Sequence, residues 1–261
     1  MSVRTGIGGW RFDGWRAGVF YPDDLPRRKE LHFASRQVSA IEVNGTYYRL
    51  QKPETFAAWR ADVPDGFVFA LKASRYICNR RKLADAGEAV ERFFAQGLTE
   101  LGDALGPILW QFPDYRAFDA EDLAAFFALL PRERHGLPLR HVMEVQHDSF
   151  RCAEFVDLAR GHDIAIAYVD GPGGLAMADL SGGLGYMRMK GARSDLASGY
   201  DDAALDDKAR IAADWDQGVA PNGVNRITTA RMGAMDDVYV FVIDGAKERA
   251  PAAAIALAGR L

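Results

Sequence analysis

The stretch Ile41-Glu42-Val43-Asn44-Gly45-Thr46-Tyr47-Tyr48-Arg49 predicts how the rest of this chain is arranged. Residues 40–43 are predicted to form a short strand that ends at Asn44-Gly45, a dipeptide that accepts positive φ and forms a turn. Glu42 and Asn44 then lie at the carboxyl end of a strand, where α/β sheets and barrels bind their ligands. The loop beyond carries three more ligand-handling side chains: Tyr47, Tyr48 and Arg49. The alternative is a turn with two packed tyrosines.

The same pattern of a buried strand with a polar end recurs along the chain. Phe67 to Lys72 and Pro107 to Gln111 are apolar until their last residue, as in a parallel sheet that is covered on both faces. About eight such strands alternate with helical segments, which implies closure into a single (β/α)8 TIM-type barrel. Gly171-Pro172-Gly173-Gly174 interrupts the pattern, so the barrel is expected to be irregular around helices 6 and 7. No linker divides the chain, and residues 1–261 are predicted to form one domain.

Composition excludes several classes of protein. The chain has 261 residues, 49% of them hydrophobic, with a net charge of -4 and a pI near 5.8, so it is not a globally basic nucleic-acid binder. We expect no membrane association, because no apolar run approaches the ~20 residues that a span needs. The start of the chain does not resemble a secretory signal, and Cys78 and Cys152 lack a CxxC spacing. These features favour a cytoplasmic protein with free thiols, and they do not indicate an oligomeric state.

Polar side chains at the strand ends are expected to converge on one mouth of the barrel. A charge in a dry barrel must be paired, hydrated or bound to a ligand. Two interpretations follow, a self-neutralising network of ion pairs or a ligand site. The residues concerned are Trp10, Glu42, Asn44, Lys72, Gln111, Glu144, His147, Asp170, Arg188, Lys190 and Asp244.

These residue types suggest particular chemistries. Glu42 and Glu144 are candidates for a catalytic acid and base. Lys72 is the third catalytic candidate, because a lysine buried in a barrel loses its charge easily and can form a Schiff base. With Arg188 and Lys190, it would also suit a phosphate or a carboxylate.

Metal and cofactor binding are not predicted. Glu144, His147 and Asp170 offer oxygen and nitrogen donors, but Glu-x-x-His at a strand end is not a recognised metal spacing. Gly6-Ile7-Gly8-Gly9 resembles the start of a dinucleotide fingerprint, but Arg11 occupies the position of the third glycine and an aromatic loop follows. We therefore predict no metal and no cofactor.

Taken together, the motifs resemble those of the DUF72 (YecE-like) family of bacterial TIM-barrel proteins of unassigned activity. The resemblance covers nearly the whole chain, most firmly residues 7 to 113, and implies a TIM barrel with a site at the mouth. The matching segments are Ile7-Gly8-Gly9-Trp10, Trp15-Arg16, Val19-Phe20-Tyr21-Pro22, Leu25-Pro26, Ile41-Glu42-Val43-Asn44, Thr46-Tyr47-Tyr48-Arg49-Leu50, Pro53-Glu54-Thr55, Gly66-Phe67-Val68-Phe69 with Lys72, Leu109 to Pro113, and Glu144 with His147.

The second half of the chain departs from the family pattern. This sequence has Gln146 where the family typically has arginine, and Lys190-Gly191 where the family has His-Gly. It has Val242-Ile243-Asp244 where the family has a Phe-Asn-Asn-like end to the last strand, and Ala253-Ala254 where the family has Asn-Ala in the last helix. Residues 217–236 are also longer than expected and are either functional or mobile. The departures imply either a different ligand or a lost activity.

Two functional hypotheses follow. The first is an enzyme, hydrolase-like or isomerase-like, acting on a small anionic or sugar-like substrate. Glu42 and Glu144 would be acid and base, and Lys72 and Arg188 would hold the anion. The second is a non-catalytic binding protein, with nucleic acid as one candidate ligand, that uses the basic loop 75–82 and a set of aromatic side chains. That set comprises Trp10, Phe12, Trp15, Tyr47 and Tyr48.

Overall fold

The structure, a computed structural model, describes residues 3–229 and 235–261. The strands are β1 (Val3–Gly8), β2 (Ala40–Val43), β3 (Val68–Lys72), β4 (Leu105–Gln111), β5 (Glu133–Arg134), β6 (Leu137–Pro138), β7 (His141–Glu144), β8 (Ala165–Ile166), β9 (Tyr168–Asp170), β10 (Leu184–Met189) and β11 (Asp237–Val242). The α-helices are α1 (Glu30–Ala34), α2 (Gly45–Tyr48), α3 (Pro53–Asp62), α4 (Arg75–Cys78), α5 (Gly87–Phe94), α6 (Ala120–Ala128), α7 (Ala153–Gly161), α8 (Asp202–Asp216) and α9 (Ala250–Ala258).

Parallel pairing closes the main sheet into a barrel. Its strands follow the order β8, β7, β4, β3, β2, β1, β11, β10, β9, while β5 and β6 form a small separate hairpin. Only Ala167 separates β8 from β9, and its amide donates to Met143 O at 2.9 Å. The two are halves of one strand, because the first half pairs with β7 and the second half with β10. The predicted TIM-type barrel is confirmed.

The predicted irregularity lies between β9 and β10. Residues 171–183 contain no helix, so this βα unit lacks the helix that usually covers a barrel strand. Helices α4, α6 and α8 each begin after a residue whose side chain accepts a backbone amide of the first turn. In α6, for example, Asp119 Oδ1 accepts the Asp122 amide at 3.0 Å, and Leu123, Phe126 and Phe127 are buried. None of the helices within the described ranges is long and apolar enough to cross a membrane.

Alternation along the strands divides the core into two layers. One cluster fills the barrel, with Ala40, Val68, Ala70 and Leu109 among its members, and the other lies between the strands and the helices. Because successive side chains of a strand point to opposite faces, the residue two positions after an interior one is also interior. On five strands that next interior residue is polar: Glu42, Lys72, Gln111, Glu144 and Arg188. The barrel is therefore apolar through most of its length and polar at its carboxyl end.

The glycine run at the end of β1 has a structural role. A Cβ on Gly6 would lie 2.2 Å from Ala40 O, so glycine allows β1 to approach β2. Gly9 has φ +77°, a left-handed conformation that glycine adopts without strain, and it turns the chain into the loop of Trp10.

The long segment 217–236 lies in the chain between α8 and β11, and its described residues approach the amino-terminal end of the barrel. Residues 230–234 lie outside the described residues. In the described part, Ile227 and Thr228 donate their amides to the buried Asp179 at 2.7 and 2.8 Å. Asp179 precedes β10, which is again at the end opposite the mouth.

Candidate functional site

A cavity of about 800 Å³ opens at the carboxyl ends of the strands. This is the end at which parallel barrels carry their sites. The predicted site residues that line it are Trp10, Asn44, Tyr48, Lys72, Gln111, Arg188, Lys190 and Asp244. Most of the residues that were predicted from the polar ends of the strands therefore lie together in this cavity.

Arg188 lies at the base of this cavity and binds Glu42 with two nitrogens. Its Nη2 donates to Glu42 Oε1 and its Nε to Glu42 Oε2, both at 2.9 Å. The hydroxyl of Tyr186 also donates to Oε2, at 2.8 Å. Arg188 and Glu42 are both buried, and β10 and β2 are not neighbours, so this ion pair crosses the barrel interior.

Glu144 is the second carboxylate on the same guanidinium. Its Oε2 accepts from Arg188 Nη1, while its Oε1 accepts from Gln111 Nε2 at 2.7 Å and from Lys190 Nζ at 2.9 Å. Both oxygens of this fully buried side chain are thus occupied. Neither Glu42 nor Glu144 belongs to the described lining of the cavity.

These contacts fix the charge of the network. Burial acts to raise the pKa of Glu144, but Arg188 and Lys190 outweigh it and lower the pKa from 4.5 to about 2. Burial alone would lower the pKa of Arg188, but Glu144 and Glu42 outweigh it and the pKa is raised. For Tyr186, burial and then Glu42 raise the pKa well above 10.0. At neutral pH the network therefore holds ionised Glu144 against a charged guanidinium and a neutral phenol.

Lys72 differs from Arg188 and Lys190 in its ion pairing. It ends β3 and lines the cavity at 9% exposure, yet within the described part of the chain its ammonium has no ion-pair partner. Its Nζ lies 4.3 Å from the centre of the Tyr47 ring, and Tyr47 itself does not line the cavity. Burial and then the charge of Arg188 lower the pKa of Lys72. The interior end of β3 thus presents an unpaired amine to the cavity.

Three further cations line the cavity. Arg49 belongs to the loop that the sequence singled out, whereas Arg11 and Lys247 were not predicted. Each of the three lacks a carboxylate partner among the described residues. Arg11 and Lys247 follow a strand by only a few residues, and this position in the chain could have identified them. Cationic side chains outnumber the carboxylates at this end of the barrel, so the cavity favours an anion.

Besides Tyr47, two predicted ligand-binding residues lie outside the cavity lining. Asp170 forms an ion pair with Lys208 of α8 at 3.2 Å. His147 Nδ1 lies 2.8 Å from Ser149 Oγ and also accepts the Ser149 amide, so it caps the turn at 148–150. Neither residue contributes to the described cavity lining. Both are out of phase with the interior residues of their strands, which explains why they point away from the barrel.

The residues that depart from the family pattern make local contacts. Gln146 Nε2 donates to Phe112 O at 3.0 Å, and Asp244 Oδ1 accepts the Gly245 amide at 2.9 Å. Lys190 is part of the network, and Ile243 lines the cavity.

Among residues 3–229 and 235–261, no group of three or more His, Cys, Asp or Glu side chains could hold a metal ion.

A closed parallel α/β barrel with a cation-rich cavity at its carboxyl end defines a TIM-type barrel protein, and the cavity lies where such barrels usually carry their sites. The chain belongs to the DUF72 family, described as a protein family of unknown function, whose model matches residues 4–261.

Relatives and solved structures agree with this assignment. The chain is 28% identical over 144 residues to the UPF0759 protein YecE of Escherichia coli K12. The aligned region covers 53% of this chain and 48% of that protein. The chain thus spans about half the length of the curated relatives it matches. A DUF72 family crystal structure from Thermotoga maritima has a TM-score of 0.73 at 20% identity, covering 99% and 97% of the two chains. One from Enterococcus faecalis has a TM-score of 0.71 at 15% identity, covering 98% and 96%. At these identities the similarity concerns the fold.

Proposed function

We propose that the mouth cavity binds a small ligand that carries a phosphate or a carboxylate group. The observation that carries this proposal is Lys72, a nearly buried ammonium that faces the cavity without a counter-ion among the described residues. Leaving a buried charge unpaired costs stability, and such a cost is expected where a ligand supplies the missing partner.

The surroundings of Lys72 support the same ligand. Arg11, Arg49 and Lys247 add cations around the cavity, and Lys190 presents a further ammonium from the end of β10. Trp10 and Trp59 meet edge to face at 5.1 Å and form an aromatic wall on which the uncharged part of a ligand can pack. A small sugar phosphate or an organic acid matches this combination of charge and aromatic surface.

In this proposal Glu42 and Glu144 have a supporting role. A general acid needs a proton at the operating pH, and the lowered pKa of Glu144 leaves it ionised. Glu42 accepts three hydrogen bonds from Arg188 and Tyr186 beneath the cavity. In this proposal the two carboxylates hold Arg188 and Lys190 in place, and an acid/base reaction by the pair is not part of it.

The test compares charged and uncharged probes by calorimetry. We expect inorganic phosphate and glucose 6-phosphate to bind and glucose not to bind. Lys72→Met should weaken phosphate binding by about tenfold or more, since a hydrogen bond to a charged group contributes roughly 1.5–3 kcal/mol. Lys29→Met, at an exposed position outside the cavity, is the matched control. Equal binding of glucose and glucose 6-phosphate, or an equal loss in both variants, would refute the proposal.

A second candidate function rests on a separate observation beside the mouth. Tyr48 and Tyr76 are 59% and 66% exposed, and the guanidinium of Arg75 lies 5.8 and 5.4 Å from their ring centres. Exposed rings next to a cation are suited to stacking with single-stranded nucleic acid. Trp15, by contrast, is fully buried and unavailable for stacking.

Binding of a fluorescent single-stranded oligonucleotide tests this second candidate. We expect the affinity to fall as the salt concentration rises and to fall further in Tyr76→Ala, because stacking contributes roughly 1–3 kcal/mol per base. Tyr115→Ala removes another exposed tyrosine as a control. Affinity unchanged by salt and by Tyr76→Ala would exclude this function.

A further inference from the structure

Two lysines that line the cavity differ in the partners of their amines. Lys190 Nζ donates to Glu144 Oε1 at 2.9 Å and forms an ion pair with this carboxylate. Lys72 has no such carboxylate among the described residues, and the positive charge of Arg188 is nearby. An amine is a nucleophile only when it is neutral, so the two lysines offer different chemistry.

We propose that Lys72 is a nucleophile that forms an imine with the carbonyl group of an anionic aldehyde or keto acid. This inference rests on the proposed function, because the cations of the cavity are what attract such a ligand. It also names the substrate class, which is a small carbonyl compound with a carboxylate or a phosphate group.

The surroundings of Lys72 supply what the reaction needs. Lys72 is the last residue of β3, and its side chain faces an open cavity large enough for a small metabolite. Burial, followed by the charge of Arg188, lowers the pKa of Lys72 and increases its neutral fraction. Arg49 and Lys247 line the same cavity and can hold the carboxylate or phosphate of the ligand while its carbonyl carbon meets Nζ.

The reaction is a condensation without an oxidant or a reductant. The lone pair of Lys72 Nζ attacks the carbonyl carbon, and the electrons of the carbonyl π bond move to oxygen. Oxygen takes up a proton, Nζ loses one, and a carbinolamine results. Protonation of its hydroxyl and loss of water, with the nitrogen lone pair forming the C=N bond, give the protonated imine. Both proton exchanges can use solvent, since the cavity is open.

Reductive trapping tests this step. Wild-type protein is incubated with glyoxylate and sodium cyanoborohydride at neutral pH, and the modified lysines are located by peptide mass spectrometry. We expect one carboxymethyl group on Lys72, formed faster than on Lys190 or Lys29, because the lowered pKa of Lys72 increases its neutral fraction. Inorganic phosphate should slow the labelling of Lys72 and leave that of Lys29 unchanged.

Two controls separate the imine from the anion site. Lys72→Arg keeps the positive charge but cannot form an imine. Position 72 should therefore remain unlabelled in this variant, while phosphate still binds. Thermal unfolding shows whether the variant is folded. Propanal, which lacks the anionic group, should label Lys72 more slowly than glyoxylate.

The outcomes distinguish the two proposals. If phosphate binds in a Lys72-dependent manner but glyoxylate labels Lys72 no faster than Lys29, the nucleophile is refuted and the anion site stands. If propanal labels Lys72 as fast as glyoxylate and phosphate does not protect it, the anionic substrate class is refuted.

Discussion

Two layers of charge lie at the carboxyl end of this barrel. In the lower layer, Glu42 and Glu144 bind Arg188 from two sides, and every carboxylate oxygen has a partner. In the upper layer, Lys72 and Arg49 face the cavity without a carboxylate partner among the described residues. The same kinds of side chain therefore have opposite roles. Paired charges can remain in a dry interior, whereas unpaired ones are maintained where a ligand is expected.

Arg188→Met should give the largest effect, because it leaves two buried carboxylates without their shared cation. We expect the free energy of unfolding to fall by about 3–5 kcal/mol or more, the usual cost of a stranded buried charge. Denaturant unfolding measures it. Arg193→Met breaks an exposed ion pair with Asp195 and should leave the midpoint almost unchanged. Similar losses in the two variants would mean that the lower layer is not a structural network.

Acid should weaken the lower layer. The pKa of Glu144 falls from 4.5 to about 2 on folding, so its contribution to stability is complete above about pH 4.5 and is lost as the pH falls towards 2. We expect this contribution to reach about 3 kcal/mol. The measurement is the difference in unfolding free energy between wild type and Glu144→Gln across this range. A difference that stays constant with pH would contradict the pairing.

At neutral pH, Glu144→Gln should lower stability by about 2–3 kcal/mol, because the uncharged amide keeps only one acceptor oxygen for the charged donors Arg188 and Lys190. Binding of phosphate should be retained or improved, since the change removes a negative charge near the cavity. Calorimetry and denaturant unfolding test both parts. Loss of phosphate binding with unchanged stability would instead make Glu144 a ligand-handling residue.

Sequence periodicity explains which parts of the site are predictable. The position of polar residues at strand ends identifies Lys72, Gln111, Arg188 and Lys190, because a buried strand with one polar residue at its end is recognisable in the sequence. The phase of the strands refines this list. Arg188 and Lys190 are two positions apart and share the interior face, while Asp170 follows the break at Ala167 and faces Lys208.

Pairing across the barrel cannot be predicted in the same way. The ion pair between Glu42 and Arg188 joins residues 146 positions apart in the chain, and its geometry depends on the diameter of the closed barrel. The amino-acid sequence alone therefore leaves two alternatives, an ion network or a ligand site. The structure contains a paired network in the lower layer and a cavity with unpaired cations above it, among the residues that it describes.

The most direct test of the difference between the paired lower layer and the unpaired upper layer is Lys72→Met. Its stability and its phosphate binding are measured in the same preparation. Removing an unpaired, nearly buried charge should change the unfolding free energy by less than about 1 kcal/mol, or increase it, because a desolvation cost disappears. Phosphate affinity should fall by about tenfold or more. A loss of several kcal/mol in stability with unchanged phosphate affinity would contradict the account, because Lys72 would then belong to the structural network.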